Sequence, residues 1–141
     1  MTKRPEARAA RLTAGAIAAA LFCVLSTCAG PSAALRGGRA GAVEDGMATY
    51  YAARLAGHRT ANGERYDPAA LTAAHPVLPF GTRVKVTRVE AQQRSVLVRI
   101  NDRCASGKKI IDLSEAAARR LGMLKAGIVQ VRLQVVSTPG R

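Results

Sequence analysis

The segment SVLVRINDRCASGKKIIDLS begins with side chains that alternate between apolar and mostly polar. Val96, Val98 and Ile100 fall on one side of an extended chain, and Leu97 is the only apolar misfit on the other. This period of two predicts a β-strand with one buried face. The strand runs into an Asn-Asp-Arg corner, which puts Asp102 at a strand end, where its carboxyl group could act on a molecule outside the fold.

A second short β-type run follows a polar loop and leads into a helix. Ile111 and Leu113 belong to that run, and Ser114 directly after them is a favoured residue at a helix N-terminus. Gly122 is the kind of residue most often found just past a helix C-terminus. The sequence therefore predicts one short helix over about residues 114–121.

Three further stretches favour strands. Residues 47–51 form a short β-type run, and residues 83–89 and 128–136 place apolar side chains at alternate positions. Residues 91–93 are expected to join two strands as a hairpin. A folded part of about residues 44–137 is near the size at which a single core becomes marginal, so the predicted fold class is a compact, mainly β barrel.

The first 27 residues predict an export signal. Four basic residues and one acid precede an apolar stretch, residues 16–25, that is too short to span a bilayer comfortably. We interpret residues 1–27 as a signal peptide and leave them out of the predicted fold. Residues 28–43 contain several glycines and predict a flexible tether, and residues 138–141 predict a short tail.

The motif Leu-Ser-Thr-Cys that ends at Cys28 resembles the processing site of bacterial lipoproteins. Processing there would make Cys28 the lipidated first residue of an exported protein, anchored to the cell membrane or the outer membrane. The alternative is ordinary cleavage nearby, for example after Ala29 or Ala33, which would give a secreted product. In both cases Cys104 is the only cysteine left in the folded part, so the sequence offers no intramolecular disulfide. No spacing of Cys and His suggests a metal site, and no cofactor is expected.

Positive charge is concentrated in the folded part as well as in the signal. The whole chain has a formal charge of +13, and residues 44–141 contain 16 Lys and Arg against 8 Asp and Glu. Such a surface favours anionic partners. Nucleic acid is not expected, because the chain is exported and its three Tyr and two Phe give few stacking surfaces. Peptidoglycan, teichoic acids or acidic lipid headgroups fit better, and a merely solvated basic surface is the alternative.

Several segments of the sequence together point to a known family. GMATYYAARLAGHRTANGERYDPAALTAAHPVLPFGTRVKVTR, RSVLVRINDR and IIDLSEAAARRLGM occur in this order, and together with the last β run they resemble the rare lipoprotein A (RlpA-like) family of cell-wall enzymes over residues 46–136. The resemblance implies a six-stranded double-psi β-barrel. It also implies endolytic peptidoglycan lytic transglycosylase activity, which cleaves the MurNAc-GlcNAc β-1,4 bond and leaves 1,6-anhydro-MurNAc ends during cell-wall remodelling.

The same resemblance assigns three catalytic candidates. Asp102 matches the Asp of the family's Asn-Asp-Arg motif and would be the general acid, Glu64 matches the acid of the Thr-Ala-Asn-Gly-Glu segment, and His75 matches the His of Leu-Thr-Ala-Ala-His. Glycosidic cleavage needs a proton donor at the leaving oxygen and stabilisation of an oxocarbenium-like centre. One acid/base group can serve both steps, because the muramic 6-hydroxyl closes on its own anomeric carbon.

Less specialised interpretations of these residues stay open. Asp102 could be a turn residue whose carboxylate satisfies loop N–H groups or pairs with Arg103. Glu64 could simply follow the turn predicted by Asn62-Gly63, and His75 could be a buried histidine that holds its loop, the role we favour for it. The expected substrate-binding residues are four: Asn101, Arg103, Tyr51 and Tyr66.

One departure from the family pattern lies beside Asp102. The family usually continues its Asn-Asp-Arg motif with Gly-Pro and an aromatic residue, whereas this chain continues with Cys104, Ala105 and Ser106. The change could alter the wall of the groove. Two other functions therefore remain as alternatives: a non-catalytic, expansin-like glycan-binding module, and a secreted barrel that binds a protein, such as a protease inhibitor.

Overall fold

The computed structural model describes residues 35, 38–90 and 93–140. Within these residues, six strands, one α-helix and one short 3₁₀ helix (Ala53–Leu55) make up the regular structure. The strands are β1 (Val43–Tyr50), β2 (Thr72–Ala74), β3 (Arg83–Arg88), β4 (Ser95–Asp102), β5 (Lys109–Leu113) and β6 (Val129–Ser137), and the helix α1 (Glu115–Leu121) lies between β5 and β6.

The strands close into a barrel in the order β1-β5-β2-β4-β3-β6, with β6 pairing back to β1. The pairs β1–β5 and β2–β4 are parallel, and the other four pairs are antiparallel. Closure leaves no strand at a free edge. The predicted six-stranded barrel with one short helix is confirmed.

Alternating side chains fill the interior of the barrel. Val129, Val131, Leu133 and Val135 of β6 are all buried, and the residues between them are exposed. In β4 the predicted face is likewise buried, and Leu97 points outward with 42% of its surface exposed. The apolar misfit in the sequence is therefore a surface residue.

Helix α1 begins and ends where the sequence predicts. The Ser114 side chain accepts a hydrogen bond from the Ala117 N–H, and Gly122 adopts the left-handed conformation with φ of 73°. The helix buries its Ala117, Ala118 and Leu121 side chains. It packs against the barrel through these three side chains, immediately after β5.

Two parts of the architecture differ from the sequence pattern. Strand β2 was not among the strands recognised by alternation, because its three residues, Thr72–Ala74, are all buried and show no period of two. Strand β1 begins at Val43, four residues before the predicted start, and the Gly41 N–H already donates to the Val135 carbonyl at 2.8 Å.

The predicted signal peptide and Cys28 lie outside the described residues, as do Ala91 and Gln92 of the predicted hairpin. The strands on either side of that hairpin, β3 and β4, pair antiparallel as expected. In the part of the chain that the structure describes, no helix has the length and apolar character needed to cross a membrane.

Candidate active site

Asp102 is the last residue of β4, and its side chain lies at the rim of the barrel and not in the interior. The parallel pairing of β2 with β4 shifts register at this point, with Ala73 opposite Ile100 but Ala74 opposite Asp102. An irregularity of this kind re-aims side chains at the rim of a barrel. Asp102 is consequently half-buried, whereas Ile100 two residues earlier is fully buried.

Three hydrogen-bond donors hold the Asp102 carboxylate. Its Oδ1 accepts from the backbone N–H groups of Ala61 (2.7 Å) and Arg103 (2.8 Å), and its Oδ2 accepts from the Tyr51 hydroxyl at 2.6 Å. The two oxygens are thus unequal, since backbone N–H groups can only donate but a tyrosine hydroxyl can donate or accept. A proton on Oδ2 could therefore be accommodated by a turn of the Tyr51 hydroxyl.

A cavity of about 230 Å³ opens beside this carboxylate. The rings of Tyr51 and Tyr66 lie 4.9 Å apart between centroids at 48°, and Tyr66 is held by a hydrogen bond from the Glu115 N–H to its hydroxyl (3.2 Å). Aromatic rings that line a cavity suit the faces of sugars. The cavity is lined by Tyr51, Leu55, His58, Arg59, Thr60, Tyr66 and Asp102.

Burial and the neighbouring Asp102 carboxylate raise the pKa of Tyr51 well above that of a free tyrosine. The more distant Asp112 carboxylate acts in the same direction. The Tyr51 phenol therefore keeps its proton throughout the neutral range. It is a neutral hydrogen-bonding partner for Asp102.

Glu64 is a fixed anion rather than a proton donor. Its two carboxylate oxygens accept both ends of the Arg99 guanidinium at 2.8 and 2.9 Å, and Oε2 also accepts from the Asn101 amide at 3.1 Å. Hydrogen bonds from Arg99, then Asn101 and Asn62, lower the pKa of Glu64 to about 2. At neutral pH this carboxylate carries no proton to give to a substrate.

The turn that carries Glu64 is also the turn that supplies the Ala61 N–H to Asp102. The Gly63 N–H donates to the Thr60 carbonyl at 2.9 Å, and Gly63 has φ of 91°, which residues with a Cβ rarely adopt. The turn predicted from Asn62-Gly63 is therefore present. The ion pair between Glu64 and Arg99 ties this turn to β4.

His75 is buried and supports the chain beneath the site. Its Nδ1 accepts from the N–H groups of Val77 (3.2 Å) and Leu78 (3.1 Å), so its proton lies on Nε2, which is 3.3 Å from the Glu44 carboxylate. The His75 backbone N–H donates to the Asp102 carbonyl at 3.2 Å. The ring thus holds a turn, and the backbone holds the end of β4.

The two residues flanking Asp102 differ in exposure. The Asn101 side chain is buried and donates to Glu64, while Arg103 is exposed, with its guanidinium carbon 3.9 Å above the centre of the Phe80 ring. Arg103 also donates to the His75 carbonyl at 3.2 Å. Of this pair, only Arg103 presents its side chain to solvent at the site.

Cys104 follows Arg103 and is half-buried, with its Sγ 3.5 Å from the Ala74 carbonyl oxygen. Burial, with a contribution from the Asp112 carboxylate, raises the pKa of its thiol to about 11. The thiol is therefore protonated and unreactive near neutral pH. Its position agrees with a packing role.

Two acids near the site had no signal in the sequence. Glu44 faces the His75 ring, and Asp112 accepts from the Thr49 hydroxyl and pairs with Lys109. Long-range strand pairing brings both acids there, since β1 pairs with β5 and β5 pairs with β2. Across residues 35, 38–90 and 93–140, no group of three His, Cys, Asp or Glu side chains could hold a metal ion.

Two solved structures that are similar to this barrel are a papain inhibitor and an expansin. A Streptomyces papain inhibitor is 26% identical with a TM-score of 0.57, covering 70% of this chain and 97% of its own. An expansin from Clavibacter michiganensis is also 26% identical with a TM-score of 0.55, covering 71% of this chain and 53% of its own. These similarities agree with the fold.

Relatives found by sequence comparison are more similar to this chain than these solved structures are. A protein of Synechocystis, named a probable endolytic peptidoglycan transglycosylase RlpA, is 52% identical over 95 residues, which are 67% of this chain and 29% of that protein. The chain spans between 25% and 41% of the length of curated relatives of this kind. The family model described as "Lytic transglycolase" matches residues 43–133, which include the whole barrel up to Leu133 of β6. With its fold, its site and this match taken together, the chain belongs to the lytic transglycolase family of RlpA-like double-psi β-barrels.

Proposed function

We propose that this protein is an endolytic peptidoglycan lytic transglycosylase that cleaves the MurNAc-GlcNAc β-1,4 bond. The observation that carries the proposal is the half-buried Asp102 carboxylate, held by Tyr51 and Ala61 beside a cavity with two aromatic rings. Its family membership and its similarity to a probable endolytic peptidoglycan transglycosylase support the same activity.

In the proposed reaction Asp102 acts first as an acid. A proton on Oδ2 passes to the glycosidic oxygen while the bond between that oxygen and C1 of MurNAc breaks, leaving an oxocarbenium-like sugar. The 6-hydroxyl of the same MurNAc then attacks C1 and returns its proton to Asp102. The carboxyl group ends as it began, and no water is consumed.

Tyr51 assists by adapting to both protonation states. Its hydroxyl donates to Oδ2 when Asp102 is ionised and can accept from it when the carboxyl group is protonated. Oδ1 remains fixed by its two backbone donors throughout. Because backbone N–H groups cannot accept a hydrogen bond, this arrangement favours Oδ2 as the oxygen that carries the proton.

Glu64 and His75 are assigned supporting roles in the site and do not transfer protons. Because Glu64 stays ionised and is paired with Arg99, we assign it to holding the Thr60–Glu64 turn against β4. His75 is assigned to positioning the end of β4. The proposed sugar contacts are Tyr51 and Tyr66 of the cavity lining and the exposed Arg103. Asn101 is assigned to acting through Glu64.

The decisive experiment is digestion of purified sacculi by the protein, followed by mass spectrometry of the released muropeptides. Anhydro-muramyl ends are expected from the proposed attack of the MurNAc 6-hydroxyl. They are diagnostic, because hydrolases do not make them. The Asp102→Asn variant should release them about 10² to 10⁴ times more slowly with an unchanged melting curve. Release at the parental rate would refute the acid assignment.

A non-catalytic, expansin-like module is the second candidate, supported by the barrel similarity to the Clavibacter expansin. Its signature in the same experiment would be sacculus binding by the parent protein with no release of anhydro-muropeptides. The same result without binding would favour a protein ligand, as for the papain inhibitor.

We also propose that the protein acts outside the cytoplasm and is anchored by lipid at Cys28. The basic start, the apolar stretch and the Leu-Ser-Thr-Cys motif support this location. Metabolic labelling with a palmitate analogue should mark the protein in the membrane fraction. A soluble, unlabelled product that begins after residue 28 would contradict the anchor.

A further inference from the structure

The outer surface formed by β4, β3, β6 and β1 combines basic and aliphatic side chains. One row crosses all four strands: Leu97 lies opposite Lys85, Lys85 opposite Gln134, and Gln134 opposite Val43. In the next row Arg83 of β3 lies opposite Arg99 of β4. We call this surface the basic sheet face and define it by Arg83, Lys85, Leu97, Val43 and Val136.

Positive charge on this face is only partly neutralised. Arg99 is paired with Glu64, but among the described residues Arg83 and Lys85 form no ion pair, nor does Arg120 of α1. Glu64 supplies a counter-charge to Arg99 but not to Arg83, which lies directly opposite Arg99 on the neighbouring strand. Arg83, Arg99 and Arg120 in fact surround one depression of about 430 Å³, whose remaining lining residues are Leu71, Leu97 and Val98.

Exposed aliphatic side chains accompany these charges. Val43, Leu97 and Val136 are 46%, 42% and 49% exposed, and all three lie on the basic sheet face. They are three of the five large apolar residues that are exposed in the part of the chain described here. A surface that alternates guanidinium or ammonium groups with aliphatic side chains matches the boundary between lipid headgroups and acyl chains.

We propose that the basic sheet face docks on an anionic phospholipid bilayer. A soluble polyanion would satisfy Arg83 and Lys85 but would leave Leu97 and Val136 without a partner. A second copy of the same face would bring like charges together. A bilayer supplies both phosphate groups and an apolar layer, so it satisfies the whole face.

The proposed anchor agrees with docking on a bilayer. Val43, the first residue of β1, lies on the basic sheet face, and the described chain before it already contacts the barrel, since Leu35 is fully buried and the Gly41 N–H donates to the Val135 carbonyl. An anchor at Cys28, seven residues before Leu35, would keep the barrel close to the bilayer, so docking of the face would become an intramolecular event. The docking proposal does not depend on the catalytic one, since vesicle binding and muropeptide release are measured separately.

The test uses the full-length chain incorporated into vesicles of phosphatidylcholine with or without phosphatidylglycerol. In a Cys104→Ser background, Leu97→Cys introduces a thiol on the face, and Ala56→Cys introduces one in an exposed loop outside it. A water-soluble maleimide is applied, and its modification of each site is followed by mass spectrometry. We expect modification at position 97 to slow about tenfold in the anionic vesicles only, and modification at position 56 to be unchanged.

Charge removal on the face should abolish the protection. Arg83→Gln with Lys85→Gln should weaken docking about 30-fold, the equivalent of about 1 kcal/mol for each charge. The control, Lys108→Gln with Lys125→Gln, removes the same charge from exposed positions off the face and should keep the protection. Equal loss in both variants would overturn the proposal, because general attraction of a basic domain would then explain the binding.

If a soluble polyanion or a second copy of the chain occupied the basic sheet face, the modification experiment would give different results. Protection at position 97 by soluble polyphosphate with neutral vesicles, as strong as that by anionic vesicles, would favour a polymer and overturn the bilayer. Protection that grows with protein concentration in the absence of vesicles would favour a second copy. Full modification at position 97 in anionic vesicles, in a variant with the parental melting curve, would also refute the docking.

Discussion

Replacing Glu64 by Gln tests how the site is held together. The change keeps the size of the side chain but removes the charge that Arg99 and Asn101 bind. The lowering of the Glu64 pKa from 4.5 to about 2 would be equivalent to at most about 3 kcal/mol if it were fully expressed in stability. Because the Glu64 side chain is 42% exposed, solvent screening reduces the expected contribution to about 1 kcal/mol.

The direction of the Glu64 pKa shift determines how its contribution to the free energy of unfolding depends on pH. A carboxyl group whose pKa is lowered by folding stabilises the native state above its unfolded pKa and loses that effect as pH falls through the folded value. The parent should therefore be about 1 kcal/mol more stable than Glu64→Gln at pH 7. The difference should shrink between about pH 5 and pH 2 and then vanish.

Urea unfolding of both proteins at several pH values measures this difference directly. Glu90→Gln is the matched control, since Glu90 is exposed and forms no ion pair in the described structure, and it should behave like the parent at every pH. In the same preparations Glu64→Gln should release fewer anhydro-muropeptides, because the turn that carries the Ala61 N–H is less firmly held. A stability difference that is the same at pH 7 and pH 2 would refute the reasoning.

Two further predictions concern Tyr51 and Cys104. Tyr51→Phe removes one hydrogen bond to the Asp102 carboxylate and should slow anhydro-muropeptide release about 10- to 100-fold with little change in the melting curve; a parental rate would exclude the assigned role of the hydroxyl. Since the thiol pKa is raised to about 11, iodoacetamide should modify Cys104 far more slowly at pH 7.5 in the native protein than in the unfolded one, and faster as pH rises, as followed by peptide mass spectrometry. Equal rates in the native and unfolded protein would contradict the burial of Cys104.

Local features of the chain were readable from the sequence because each depends on near neighbours. The alternation in β4 and β6 identified their buried faces, the Ser114 and Gly122 caps bounded α1, and Asn62-Gly63 identified a turn. The end of β4 also put Asp102 at the rim of the fold. The resemblance to a family supplied the six-stranded barrel and named Glu64 and His75.

What only the tertiary structure decided is the state of those side chains. Glu64 meets Arg99 across 35 positions in the sequence, and Tyr51 meets Asp102 across 51, so no local pattern could reveal that one acid is fixed as an anion and the other faces a cavity. Alternation in the sequence does not predict β2, because all three of its residues are buried and no polar side chains alternate with them. The row that joins Lys85 to Gln134 and Gln134 to Val43 likewise follows from the pairing of β6 with β3 and β1, strands that are distant from it in the sequence.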